Sequence, residues 1–189
     1  MENIHLGGGC FWCIEGGLLG LRGVLEVIPG YSGGHVENPT YEQVCGKETG
    51  HAEVVKVTFD PEVIPRMTLL RVFHTLFDPT HLNRQGNDIG PQYRSIVLYS
   101  DEGQKEDALT AIDEISEYYQ DPVVTEVVPL EVFWEAEDYH HDYFARNGGS
   151  NPYCIAVVAP KIAKVRSKYA GLYESVSYTH LTLPTICSV

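Results

Sequence analysis

Cysteine, basic residues and long apolar runs are all scarce in this chain, and each scarcity narrows what it can be. The five cysteines, Cys10, Cys13, Cys45, Cys154 and Cys187, are too few and too unevenly spaced to staple a secreted domain, which points to catalytic or redox use. Lys and Arg together number 13 against 26 Asp and Glu, a formal charge of -13 that repels a phosphate backbone and argues against nucleic acid as a partner. No apolar stretch approaches the roughly 18 residues of a membrane span, and the N-terminus lacks the basic and apolar regions of a secretion signal. No membrane association and a cytoplasmic location are therefore expected. Linkers rich in Pro, Gly or Ser, low-complexity tracts and internal repeats are missing too, so one domain is expected.

What is present is a hydrophobic content of 43%, enough for a real core. Strand and helix patterns alternate along the chain. Ile4 to Leu6, Val24 to Tyr31, His51 to Phe59 and Tyr93 to Tyr99 read as strands, with Val123 to Val128 and Glu131 to Phe133 extended. Helices are expected over Phe11 to Leu21, Pro65 to Phe77, from Asp101 to Asp121 and over Glu137 to Arg146, with Gly30 to Cys45 as a long loop. The fold class expected is α+β: a ferredoxin-like α/β sandwich around a mixed, largely antiparallel sheet.

The densest chemistry lies in Gly7-Gly8-Gly9-Cys10-Phe11-Trp12-Cys13. Three glycines permit a tight strand-to-helix turn, which puts Cys10 at a helix N-terminus. The unpaired N–H groups and helix dipole there favour a thiolate, so a lowered thiol pKa is expected. Phe11 and Trp12 beside it suit the walls of a pocket for a small apolar group. Cys10 and Cys13 also fit a dithiol of thioredoxin type or half of a zinc site; no second pair follows, and His140-His141 lack ligand spacing, so no metal is expected.

Three further segments are rich in special residues: Gly30-Tyr31-Ser32-Gly33-Gly34 through Asn38-Pro39-Thr40-Tyr41, Thr49-Gly50-His51-Ala52-Glu53, and Asn87-Asp88-Ile89-Gly90-Pro91-Gln92-Tyr93-Arg94. With Gly9-Cys10-Phe11-Trp12, they resemble, in order and separation, the signature blocks of the A-type peptide methionine sulfoxide reductases. The resemblance runs from Ile4 to about Tyr169. It implies reduction of the S epimer of methionine sulfoxide, free or in proteins, with electrons from thioredoxin or a substitute such as dithiothreitol and no cofactor. It makes Cys10 the nucleophile and Glu53 the proton donor. Tyr41 and Tyr93 bond the sulfoxide oxygen, Phe11 and Trp12 hold the methyl group, and Asp88 supports the site by hydrogen bonds. His51 is read as structural.

Glu53 fits that role on chemical grounds, because an apolar strand around it favours the neutral carboxyl. A sulfenic acid left on Cys10 needs a second thiol. Cys154 matches the family's resolving position on a mobile C-terminal segment starting near residue 147, and Cys13 is the alternative. An i, i+3 pair on a regular helix needs local unwinding to close, whereas a loop cysteine can move in. Cys45 is read as a bystander. Residues 1–174 are taken as the catalytic domain, acting as a monomer, and 175–189, with Cys187, as a non-native tail.

Overall fold

The computed structural model describes residues 1–174; the expected non-native tail and Cys187 lie outside the described residues. Eight strands, β1 (Glu2–Gly7), β2 (Val24–Ser32), β3 (Ala52–Phe59), β4 (Arg84–Gln85), β5 (Asp88–Ile89), β6 (Ile96–Tyr99), β7 (Glu126–Pro129) and β8 (Phe133–Glu135), alternate with helices α1 (Phe11–Leu18), α2 (Tyr41–Cys45), α3 (Arg66–Phe73), α4 (Glu102–Ser116), α5 (Tyr143–Asn147) and α6 (Ala159–Lys168). Six strands form one sheet in the order β7-β6-β1-β3-β2-β8, and β4 pairs with β5 alone. Every neighbour in the large sheet is antiparallel except β6 and β7. The α+β class with a mixed sheet is therefore as expected.

Strand periodicity decides which residues reach the site. On β3, Val55, Val57 and Phe59 turn to the main core, with Ile4 and Leu6 of β1 and the helix residues Ile14, Leu18, Leu70 and Phe73. Ala52 and Val54 turn to the other face, where they meet Ile96 and Leu98. Because successive side chains alternate between faces, Glu53 falls on the helix-covered side. Tyr31 on β2 lies directly across from it.

Several boundaries differ from the sequence expectation. The loop over Gly30 to Cys45 contains α2, because Thr40 and Gln43 form a capping box: the Gln43 N–H donates to Thr40 Oγ1 and the Thr40 N–H to Gln43 Oε1. The strand expected from Tyr93 starts at Ile96, since Pro91–Tyr93 close into a 3-10 turn after Gly90. The helix after Asp101, capped by the Asp101 side chain through a bond from the Gln104 N–H, buries Gln104, Ala108 and Ala111 and ends at Ser116, short of the expected Asp121. The expected helix over Glu137 to Arg146 is broken: Asp138–His140 form a short turn and Asp142 takes a left-handed φ of 50° before α5 begins.

Gly7 ends β1 where the sheet meets the site. A Cβ there would lie 2.8 Å from the Glu53 backbone oxygen and 2.8 Å from Ile96 Cγ2. Gly7→Ala is expected to lower stability by about 1–3 kcal/mol through overpacking, read as a reduced urea midpoint at unchanged slope.

Candidate active site

Cys10 sits immediately before the first turn of α1 and is 5% exposed. The turn that brings it there uses Gly9 at a φ of 83°, a backbone angle costly for any residue with a Cβ, and the Gly9 N–H donates to the Tyr93 carbonyl. One of the free N–H groups at the start of α1, that of Phe11, donates to Glu53 Oε2 at 3.1 Å. Glu53 is 1% exposed. Burial raises its pKa to about 8, against the opposing pull of that hydrogen bond. At neutral pH the carboxyl is therefore mostly protonated, with Oε2 accepting from the backbone and Oε1 able to carry the proton.

The two thiols nearest this carboxyl form a hydrogen-bonded pair. Burial pushes the Cys10 thiol well above its ordinary value, and the bond to Cys13 adds to this. Cys13 is lowered, first by the bond from Cys10 and, against its own burial, by the Lys161 ammonium. The expected lowering at Cys10 is thus not found: the Trp12 N–H at the helix N-terminus does pull the Cys10 thiol down, but burial outweighs it.

The aromatic residues named from the sequence converge here. The Phe11 ring stacks on Tyr41 with centroids 6.4 Å apart and lies 6.2 Å from Trp12. Burial, then the neighbouring Glu53, pushes the Tyr41 and Tyr93 hydroxyls well above their usual acidity range, so both remain hydrogen-bond donors. Asp88 Oδ2 accepts from the Tyr153 hydroxyl at 2.6 Å. His51 is held structurally, its Nδ1 accepting from the Gly34 N–H and its Nε2 lying 2.7 Å from the Val36 carbonyl.

Cys154 differs from its expected setting. It is fully buried and begins a wide, π-type helical turn, Cys154–Val158, that runs into α6, where a loop had been expected. Burial and then the neighbouring Cys13 raise its thiol pKa. Cys45 is in α2; burial raises the pKa of its thiol, which neighbours the Tyr41 hydroxyl and Glu53. Among the described residues no group of three or more His, Cys, Asp or Glu side chains is placed to hold a metal ion, and no helix is long and apolar enough to cross a membrane.

A further set of residues was not anticipated. Glu137 accepts from the Tyr41 N–H and the Tyr31 hydroxyl, each at 2.8 Å. Although burial opposes it, these bonds hold the Glu137 carboxylate below its ordinary range. His140, remote in sequence, is fully buried against Phe11 and accepts from Trp12 Nε1 at 3.2 Å. The signal available was the dense run Glu137-Asp138-Tyr139-His140-His141-Asp142-Tyr143, whose helical reading hid its part in the site.

The family model described as peptide methionine sulfoxide reductase matches residues 2–172. The peptide methionine sulfoxide reductase MsrA of Saccharolobus solfataricus is 54% identical over 164 residues, 87% of this chain and 92% of its own. Among solved structures, methionine sulfoxide reductase A of Corynebacterium diphtheriae superposes with a TM-score of 0.76 at 32% identity, covering 80% of this chain and 78% of its own. Mxr1 of Saccharomyces cerevisiae in reduced form gives 0.75 at 30%, covering 81% and 88%. With a matching family model over nearly all the described residues and relatives above half identity, the chain belongs to the peptide methionine sulfoxide reductase family.

Proposed function

We propose that this protein reduces the S epimer of methionine sulfoxide, free or in oxidised proteins, to methionine, with Cys10 as nucleophile and Glu53 as proton donor. The observation that supports this most directly is the dry Glu53 carboxyl, protonated at neutral pH and tied to the N-terminus of the helix that Cys10 opens. A sulfoxide sulfur becomes electrophilic as its oxygen is protonated. Cys10 sulfur attacks that sulfur while Glu53 delivers a proton to the oxygen, and the Tyr41 and Tyr93 hydroxyls donate to the same oxygen. The S–O bond breaks as the oxygen is transferred to Cys10 as a hydroxyl, the sulfur–sulfur bond made by the attack breaks as methionine leaves, and the proton of the Cys10 thiol passes to Glu53, which regains its neutral carboxyl beside a Cys10 sulfenic acid. Phe11 and Trp12 hold its methyl group, and Asp88 supports the site through Tyr153.

A second thiol then condenses with the sulfenic acid, giving a disulfide and water. Cys154 is proposed for this step and Cys13 is its alternative. The pairing of Cys13 with Cys10 and the burial of Cys154 in a helix favour the alternative more than the sequence did. Thioredoxin is proposed to reduce the disulfide, without metal or organic cofactor, in a cytoplasmic monomer. The strand order β6-β1-β3-β2, antiparallel throughout, supports a ferredoxin-like description of the central sheet. A general dithiol-disulfide exchanger built on Cys10 and Cys13 is the competing reading; it would reduce insulin disulfides and ignore sulfoxides.

Incubation with dithiothreitol and peptides carrying each sulfoxide epimer, followed by chromatography, is expected to show methionine from the S epimer alone and none with Cys10→Ser. Turnover of neither epimer by the folded wild type would remove the proposal. Because Glu53 acts protonated, kcat/KM should fall as pH rises through about 8. Glu53→Gln should lose roughly 100-fold or more, and any residual rate should lack that alkaline limb. With thioredoxin as reductant, Cys154→Ser is expected to stop after one turnover while Cys13→Ser continues; the reverse pattern would assign resolution to Cys13.

A further inference from the structure

Glu15 is a buried carboxyl that the reaction above does not use. It lies on α1, four residues after Phe11, among side chains that are otherwise apolar or glycine, and is 1% exposed. Its two oxygens accept from successive backbone N–H groups: Oε1 from Asp142 at 2.8 Å and Oε2 from Tyr143 at 3.3 Å. Those are donors at the start of α5, whose own N-cap, Asp142, makes no side-chain cap and sits at a left-handed φ of 50°. Glu15 therefore replaces the missing cap from another helix, and holds in place a backbone angle that a non-glycine residue adopts only when its surroundings enforce it.

The residue fixed by this bond is Tyr143, whose ring lies flat on Trp12 with centroids 3.8 Å apart and planes at 6°. Trp12 also donates from its Nε1 to His140 and meets the Tyr153 ring edge-on with centroids 6.0 Å apart. Its indole is thus set on one edge by His140 and over one face by Tyr143. The Tyr143 hydroxyl accepts from Asn151 Nδ2 at 3.0 Å, so the ring is pinned at both ends.

We infer that Glu15 is a positioning residue for the substrate pocket: by anchoring the Asp142–Tyr143 backbone it holds the Tyr143 ring against Trp12 and so fixes the wall that receives the sulfoxide methyl group. This deepens the proposed reaction and rests on it for the identity of the ligand. A wall displaced by a fraction of an ångström weakens binding of the methyl group in ground and transition states alike, so the loss falls on KM more than on kcat. Glu15 acts through Tyr143, so removing both should cost little more than removing Tyr143 alone.

The test is a double-mutant cycle of Glu15→Gln and Tyr143→Leu with a peptide methionine sulfoxide. Gln keeps the volume of Glu but offers one acceptor oxygen for two N–H groups. Each single variant is expected to raise KM by about three- to tenfold with kcat within about twofold, and the double variant to match Tyr143→Leu. Independent, multiplying effects on KM, a loss confined to kcat, or a Glu15→Gln KM equal to wild type would overturn the inference. Should Glu15→Gln fail to fold, Tyr143→Leu decides alone, since an unchanged KM there removes the wall role. Trp12 emission, recorded in a Trp134→Phe background, needs no turnover: Glu15→Gln should shift it in the direction that Tyr143→Leu does. That shift in a protein inactive on sulfoxides would retain the positioning and discard the proposed reaction; no shift would discard the positioning whatever the activity.

Discussion

The hydrogen bond from the Phe11 N–H to Glu53 Oε2 ties the sheet to the start of α1, and the rest of the site is arranged around it. It closes one of the open backbone donors of a helix N-terminus with a side chain from β3, across 42 residues of sequence. Two consequences follow from one geometry. The carboxyl is drawn into a dry position where its neutral form is favoured, and Cys10, one residue earlier, is delivered to the same place. Removing water raises both the acid and the thiol, so the neutral form of each is favoured.

Around this pair the aromatic residues form a wall held from behind. Glu137 fixes the Tyr41 backbone and the Tyr31 hydroxyl, His140 fixes the Trp12 indole, and Tyr143 covers it. All three come from one irregular stretch after β8. That stretch departs from a regular helix at Asp142, which frees the Asp142 and Tyr143 N–H groups to meet Glu15. A continuous helix over Glu137 to Arg146 would have spent those donors on its own carbonyls.

Glu53 was legible in the sequence through the family resemblance, and the apolar run His51-Ala52-Glu53-Val54-Val55 agreed with a buried, neutral carboxyl. The glycines before Cys10 were equally plain, since only a turn with unusual backbone angles explains them. The direction of the Cys10 shift was not legible: the local sequence shows a helix N-terminus, but the burial that outweighs it comes with the packing of distant segments, those of Tyr31 and Tyr41 and of Tyr93 among them. Glu137, His140 and Tyr143 were hidden because their functional contacts run to residues about 100 or more positions away.

By itself, then, the chain determined its elements, its blocks of special residues and the chemistry those residues can perform, because turns, caps and alternating patterns are set by neighbours within a few positions. Tertiary structure alone decided in which direction the Cys10 and Cys13 thiols are shifted, that Cys154 starts buried in a helix, and what braces the pocket wall. Those outcomes depend on desolvation and on hydrogen bonds between segments, and neither exists until the segments have met.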